Sequence, residues 1–224
     1  MTDDITLITI YKNHDRRFIE SFVKSSSEQV CKIILVDYSK NKNVARYINW
    51  LCKTYENLCP ITVKNRTREF SIAHANNIGI KHAKTKYVAF SGIDHVFPDG
   101  LFKDVKKLLE QDVIVLAWAD LLDKNGNITG CSSKAASGHL MCMEREKVVN
   151  IHGFDEEFKT WGGEDNDLLY RMYSLGIKSA HVSKTIIHQW HCKADQPIGL
   201  DKIIAYEKIP NKPVTRNPNG WGEL

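Results

Sequence analysis

Apolar residues follow two alternating periods along the first part of the chain. The β-branched runs at 5–10 (ITLITI) and 32–37 (KIILVD) are typical of short buried strands. Between them, apolar positions recur at helical spacing: Phe18, Ile19, Phe22 and Val23. This pattern predicts a β-α-β unit at the start of the chain.

The same alternation continues as far as residue 97. A second helix is predicted by one apolar stripe, formed by Val44, Tyr47, Ile48, Leu51 and Tyr55. We expect a short strand at 61–63, an Ala- and Ile-rich helix at 71–83 and a buried strand at 87–90. Strands and helices that alternate in this way favour a parallel sheet with helices on both faces.

Beyond Pro98 the order of elements is less regular. The pattern predicts a helix at 101–109, a strand at 113–118, a turn at 123–126, a strand at 139–143, a helix from near Gly163 to Leu175, and a β-like stretch at 179–187. No repeat of fixed period and no low-complexity linker divides the chain. We therefore expect an α/β fold in a single domain, 1–224, with a mostly parallel central sheet covered by helices on both faces. In such sheets, ligands bind beyond the carboxyl ends of the strands.

The composition is that of an ordinary folded protein. Of the 224 residues, 42% are hydrophobic and 26% are charged, with 13 Gly and 6 Pro, which excludes collagen-like and disordered chains. The formal net charge of +4 is compatible with an anionic ligand but falls short of the basic footprint of a nucleic-acid-binding domain. Composition and charge therefore leave two classes, a folded enzyme or a binding domain.

Cysteine usage and the first residues indicate a cellular compartment. The six cysteines form no CxxC pair and lie in apolar-looking segments, so we expect buried free thiols in a reducing environment. The chain begins Met-Thr-Asp-Asp, acidic where a signal peptide is basic, and no apolar run reaches the ~20 residues that span a bilayer. These features predict a cytoplasmic protein with no transmembrane segment.

Two acids stand where predicted strands end. Asp37 closes the second strand, where it either accepts hydrogen bonds from a ligand or caps the following helix. Asp94 interrupts an apolar stretch after the fourth strand, and a carboxylate buried there needs a cation or hydrogen bonds to compensate its lost hydration. Asp94 is therefore a candidate metal ligand, with His95 as a second ligand or a donor. The alternative is a turn aspartate bonded to backbone amides.

The segment WGGEDND at 161–167 combines several features of a binding site. Its paired glycines let the backbone approach a ligand closely, and three acids follow in the first turn of a predicted helix. Acids at that position favour the helix dipole without any function. A tryptophan before them, however, suits stacking on a flat ligand while a carboxylate acts as a base. At ~100° per residue the acids point in different directions, so we assign the base to Asp165 and expect Asp167 to cap the helix or face solvent.

Two histidines three residues apart follow the last β-like stretch. His188 and His191 can converge on one cation, and imidazole together with carboxylate suits Mn²⁺. The alternative is a structural role, since the chain holds nine histidines. Because Asp94 also follows a predicted strand, we predict that Asp94, His188 and His191 bind one Mn²⁺-like ion.

The order of these motifs resembles the GT-A glycosyltransferases of the family-2 type, and nearly the whole chain takes part in the resemblance. REFSIAHANNIGIKHAKTKYVAF looks like the block FSxAxxxNxGxxxAxxxYVxF. GFDEEFKTWGGEDNDLLYRMYSLG is similar to the C-terminal motif of the β-1,4-galactosyltransferases, which contains WGGEDxD. The resemblance implies a GT-A domain whose residues 1–97 bind the nucleotide sugar and whose residues 98–224 bind acceptor and metal.

The activity that the resemblance implies is inverting transfer of a hexose or pentose from a nucleotide sugar, a UDP-sugar, to an acceptor hydroxyl. A divalent cation on the donor diphosphate is implied as well, Mn²⁺ or alternatively Mg²⁺. Asp37 and Asn77 would contact the nucleotide, Asp94, His188 and His191 the metal, and Asp165 would be the catalytic base. The pocket for acceptor and donor sugar would be formed by Trp161, Gly162, Gly163 and Glu164.

Position along the chain adds two donor-site candidates. Tyr11 follows the first strand beside Asp37, which suggests a stacking wall for uracil. Arg216 lies in a C-terminal segment rich in polar and aromatic residues and, with Trp190 and Lys193, is expected to form a flexible cover over the diphosphate. The alternative is a packed tail.

Two other functions stay open at the level of sequence. One is sugar transfer to a polymer such as a hydroxylated nucleic-acid base, for which the basic residues Lys64, Arg66 and Arg68 are the sequence signal. The other is a non-catalytic module that binds a nucleotide sugar. For a glycosyltransferase, the expected partners are a nucleotide-sugar donor and an acceptor that is a glycan, a small molecule or a nucleic acid.

Overall fold

A computed structural model describes residues 2–12, 14–39, 41–63, 70–132, 139–159, 162–192 and 213–224. The strands are β1 (Thr2–Tyr11), β2 (Val30–Asp37), β3 (Leu58–Thr62), β4 (Tyr87–Ser91), β5 (His95–Val96), β6 (Ile114–Ala117), β7 (Ala119–Leu122), β8 (Ile128–Cys131), β9 (Leu140–Glu144), β10 (Ser179–His181) and β11 (Ile186–His188). The helices are α1 (Arg16–Ser26), α2 (Lys42–Thr54), α3 (Ile72–His82), α4 (Leu101–Leu109), α5 (Arg145–Asn150) and α6 (Glu164–Ser174).

Seven strands form the main sheet, in the order β10-β6-β9-β4-β1-β2-β3. β9 runs antiparallel to both of its neighbours, and the other pairs are parallel. The predicted mostly parallel sheet is therefore confirmed. Strands from both 1–97 and 98–224 contribute to it, so the two parts share one sheet and one core.

The main sheet is buried on both faces, since consecutive residues of its central strands, which point to opposite faces, are buried. In β2, Ile33 and Leu35 belong to one core cluster, while Ile34 and Val36 belong to the other. Side chains of α1, α2 and α4 pack in the first cluster, and those of α3, α5 and α6 pack in the second. This places helices on both faces, as the continuous apolar strands predict.

A second, smaller sheet has the order β5-β11-β7-β8. The stretch predicted as one β segment at 179–187 is in fact two strands, β10 in the main sheet and β11 in the small one. The physical reason lies in its neighbour, because β10 and β11 run parallel to β6 and β7, which make the same transfer between sheets. The small sheet brings the end of β11 against the turn before β5.

The cysteines are free thiols, as predicted, but most are not buried. Cys142 is buried, Cys131 and Cys192 are exposed, and the other three are half-buried. The expectation of burial was wrong for Cys131 and Cys192, which are exposed, while Cys52 and Cys59 are only partly covered where they pack against the core. Among the described helices, none combines the length and apolarity needed to cross a membrane.

Candidate metal centre and active site

Three side chains from distant parts of the chain meet beside the small sheet. Asp94 lies in the turn between β4 and β5, His188 is the last residue of β11, and His191 follows three residues later. The Asp94 Oδ2 atom is 3.2 Å from Nε2 of His188 and 2.9 Å from Nε2 of His191. The three residues that the sequence predicts as metal ligands are therefore in contact.

Backbone pairing of the small sheet produces this convergence. β11 pairs antiparallel with β5, so that His188 lies opposite His95. The pairing continues one residue further, where the Gln189 N–H donates to the Asp94 carbonyl at 2.9 Å. Asp94 and His188 are thus fixed by main-chain hydrogen bonds as well as by their side chains.

The electrostatics of the cluster keep Asp94 ionised. Asp94 is 8% exposed, and burial alone would raise the pKa of its carboxyl. Hydrogen bonds from His188 and His191 outweigh burial and hold that pKa well below its usual range. The same contact, against the opposing effect of burial, raises the pKa of His191.

The donor set fits a divalent cation. One carboxylate oxygen and two imidazole nitrogens lie within 4.8 Å of one another, and a mixed oxygen and nitrogen set of this kind suits Mn²⁺ or Zn²⁺. About a quarter of each histidine side chain is solvent-exposed. Three protein ligands on an open side leave coordination positions for a ligand or water.

His95 supports this cluster and is not one of its ligands. Its Nδ1 atom is 2.9 Å from the Ser91 hydroxyl, and its Nε2 atom is 3.1 Å from Nδ1 of His139. Both ring nitrogens are therefore engaged within the protein. Burial lowers the pKa of His95 to about 3, so the ring is neutral. Asp94 contacts both His188 and His191 through Oδ2, whereas the His95 ring packs edge-on against His188.

Two further histidines lie at the centre without having been singled out in the sequence. The His14 ring is 5.5 Å from that of His191, and the His139 ring is 5.7 Å from that of His188. The signal that could have found them is their position. His14 follows β1, and His139 precedes the antiparallel β9, so both lie at the edge where the parallel strands end.

Asp165 lies in the first turn of α6, on the side of the histidine cluster. Burial, followed by the charge of His188, lowers the pKa of the nearby His139, and the charges of Asp94 and then Asp165 oppose that shift. Gly162 and Gly163 have φ of 96° and 99°, a left-handed backbone that other residues adopt at a cost, which explains the glycine pair. Trp161 lies outside the described residues.

Asp167 was predicted to cap the helix or face solvent, but it does neither. It is 1% exposed and its carboxylate contacts Arg171 Nε at 2.8 Å and Arg216 Nη2 at 3.1 Å. Arg216 also lies 3.7 Å from Asp155. Since a buried carboxylate needs compensating charge, the arginines explain why this acid is inside. Glu164, the first residue of α6, is also buried.

The C-terminal segment 213–224 is packed against the fold. Arg216 has a side chain only 3% exposed and is committed to the ion pairs just described, which contradicts its placement over the diphosphate. Asn217 bonds to the backbone of the loop before α6, and Trp221 is 5% exposed in the core. Trp190 is 39% exposed, and Lys193 lies outside the described residues.

At the end of β2, Asp37 is 2% exposed and accepts a hydrogen bond from the Ser39 N–H at 2.7 Å. It is not a helix cap, since Asn41 caps α2. Tyr11, on the adjacent strand, is also 2% exposed, and its hydroxyl donates to the His14 carbonyl. Its buried ring offers no face to a base, so the predicted stacking wall is wrong. The cause is that β1 extends one residue further than expected and places Tyr11 in the core.

Asn77 is a structural anchor rather than a nucleotide contact. It is fully buried in α3; its amide nitrogen donates to the Phe154 carbonyl and to Glu156, and its amide oxygen accepts from the Phe154 N–H at 2.7 Å. These bonds fix the loop before α6 to α3. The basic residues considered for a polymer acceptor, Lys64, Arg66 and Arg68, lie outside the described residues.

The fold is that of the GT-A glycosyltransferases. A crystal structure of GalNAc-T7 with UDP, GalNAc and Mn²⁺ superimposes with a TM-score of 0.75 at 14% identity, covering 92% of this chain and 47% of that one. A structure of TarS from S. aureus, residues 1–349, has a TM-score of 0.63 at 14% identity, covering 83% of this chain and 60% of that one. The chain thus spans about half the length of these proteins.

Sequence comparison adds a local match. A family model described as the N-terminal domain of galactosyltransferase matches residues 129–195. The matched range contains the WGGEDND segment and both candidate metal-binding histidines. A comparison with curated proteins finds no match.

Proposed function

We propose that the protein is a metal-dependent, inverting glycosyltransferase that moves a sugar from a UDP-sugar to an acceptor hydroxyl. The observation that carries the proposal is the contact of Asp94 with His188 and His191 at the ligand-binding edge of a GT-A fold. The GalNAc-T7 structure was determined with UDP, GalNAc and Mn²⁺, which supports UDP and Mn²⁺ as the donor nucleotide and cation to test first.

In this proposal Asp94, His188 and His191 hold the cation. The chemistry that a bound divalent cation supplies is positive charge beside the diphosphate leaving group, which gathers negative charge as the glycosidic bond breaks. Asp94 contributes a carboxylate that stays ionised, because its histidine partners hold its pKa low. The partly exposed histidines turn the open side of the cluster toward the donor.

Asp165 is the proposed base. It lies in the first turn of α6, close enough to His139 for its charge to act on that ring, and we place it across the donor sugar from the metal ligands. There the carboxylate accepts the proton of the acceptor hydroxyl as that hydroxyl attacks the anomeric carbon. A single displacement of this kind needs no enzyme nucleophile and inverts the configuration at that carbon.

Asp37 is the proposed contact to the base of the nucleotide. It ends β2, next to the loop after β1 that carries His14, and one Asp37 oxygen already accepts from the Ser39 N–H. A second acceptor on the same carboxylate suits the imide N–H of uracil. Residues 1–97 then supply the nucleotide side of the site and 98–224 the acceptor side, with the metal ligands drawn from both.

Donor hydrolysis measures this function without knowledge of the acceptor. We expect release of UDP from a UDP-sugar in Mn²⁺, loss of that activity in EDTA and its return on adding Mn²⁺. ADP- and GDP-sugars should be poorer donors. Asp94→Asn should abolish hydrolysis, whereas Asp99→Asn, the same change at an exposed acid, should not. Absence of hydrolysis with every nucleotide sugar would instead favour the non-catalytic binding module.

A further inference from the structure

Between the two metal-binding histidines stands a residue with a different set of contacts. Gln189 follows His188 at the end of β11, and its side chain donates from Nε2 to the Ser21 hydroxyl of α1 at 2.8 Å. The same Nε2 atom is 3.3 Å from the Asp94 carbonyl, which also accepts the Gln189 backbone N–H. Gln189 thus links α1 and the backbone of Asp94 to the segment that carries His188 and His191.

We infer that Gln189 is a positioning residue of the metal centre, an inference that rests on the proposed function. His188 is held by the β5–β11 ladder, but His191 lies three residues beyond it in a segment without regular structure. That segment is tied to α1 at two points, Gln189 to Ser21 and the Trp190 carbonyl to Arg17 at 3.2 Å. The Gln189 contact is the one that also reaches the Asp94 backbone.

Ser21 is arranged to receive this bond. Its hydroxyl lies 3.1 Å from the Arg17 carbonyl and 3.2 Å from the Phe18 carbonyl, so it donates into its own helix. A lone pair then remains for the Gln189 amide. The direction of both bonds is therefore fixed, and a side chain of the same length without an amide loses the link.

Such outer contacts set the precision of a metal site. Ligands must be held within a fraction of an ångström of productive geometry, and loss of a supporting hydrogen bond commonly costs 10- to 100-fold in metal affinity. Gln189→Met keeps the length of the side chain but removes its donor and acceptor. We therefore expect this variant to bind Mn²⁺ about 10- to 100-fold more weakly than the unmodified protein.

The experiment titrates the full chain with Mn²⁺ alone and follows free Mn²⁺ by electron paramagnetic resonance. Gln189→Met and Ser21→Ala should both weaken binding, and the double variant should be no weaker than Gln189→Met, because the two residues act through one bond. Gln111→Met, the same change at an exposed glutamine bonded to Lys107, should bind as the unmodified protein does. Thermal unfolding without metal should change little in Gln189→Met.

The outcomes separate this inference from the proposed function. Unaltered Mn²⁺ affinity in Gln189→Met, with binding lost in Asp94→Asn, would overturn the positioning role and leave the metal site standing. Equal Mn²⁺ binding by Asp94→Asn and the unmodified protein would overturn the metal site itself. If Gln189→Met fails to fold, the affinity of Ser21→Ala decides, and an unchanged value there contradicts the inference.

Discussion

At the scale of single residues, Asp94 combines burial with a stable negative charge. A carboxylate that is mostly removed from water pays for desolvation, and two histidine N–H donors supply the compensation. Those histidines are also the residues that a cation would recruit. The same three side chains can therefore stay paired with one another or open toward a cation without a change of fold.

The role of Asp165 as the base can be tested with a single substitution. Asp165→Asn keeps the size of the side chain and removes its basicity, so sugar transfer should fall by ~10² to 10⁴. Affinity for UDP and Mn²⁺ should stay close to that of the unmodified protein, as measured by calorimetry. Transfer near the normal rate in Asp165→Asn, together with its loss in Glu164→Gln, would move the base to the neighbouring acid.

At the scale of elements, α6 is anchored by buried charge. Asp167 on its first turn pairs with Arg171 on the next turn and with Arg216 of the C-terminal segment. The same arginine approaches Asp155 in the loop that α3 holds through Asn77. The helix start that presents Asp165 is thus fixed from its buried side.

Removing Arg216 tests this anchor. Arg216→Ala leaves two buried carboxylates without one of their partners, a change that costs about 3 to 5 kcal/mol in other buried ion pairs. We expect a loss of that size in the free energy of unfolding, measured by urea titration. Arg46→Ala, at an exposed position on α2, should cost less than about 0.5 kcal/mol. Equal stability of both variants would show that the anchor contributes little.

Most elements of the main sheet and its helices were predictable from sequence, whereas the individual strands of the small sheet were not. The strands β1, β2 and β4 and the helices α1 to α4 bury continuous or periodic apolar positions, and their predicted positions agree with the structure. β5 has two residues and β11 three, too few to show a period. Their existence depends on pairing with distant strands, which no local pattern encodes.

The candidate site was likewise only partly predictable from the sequence. The contact among Asp94, His188 and His191 was predictable because each lies at or just after the end of a strand and all three are residue types that bind metals. Tyr11 and Arg216 were misplaced because burial of a polar side chain depends on partners far along the chain. For Arg216 those partners are acids that the sequence alone does not identify as neighbours.

At the scale of the whole molecule, the two sheets meet where the chemistry is proposed. β6 and β10 lie in the main sheet, and the strands that follow them, β7 and β11, lie in the small one. Because both strand pairs pass from the main sheet to the small sheet, His188 and His191 come into contact with Asp94 in the turn between β4 and β5. The main sheet places Asp37, the proposed contact to the nucleotide base, at the edge where its parallel strands end.

The most direct test of this account is anomalous diffraction from crystals grown with Mn²⁺ and UDP. We predict one manganese peak within coordination distance of Asp94, His188 and His191, with the UDP diphosphate completing its coordination. Crystals of Asp94→Asn grown in the same way should lack that peak. A manganese peak elsewhere on the chain, or UDP bound with no metal at these residues, would contradict the proposal that Asp94, His188 and His191 hold the cation.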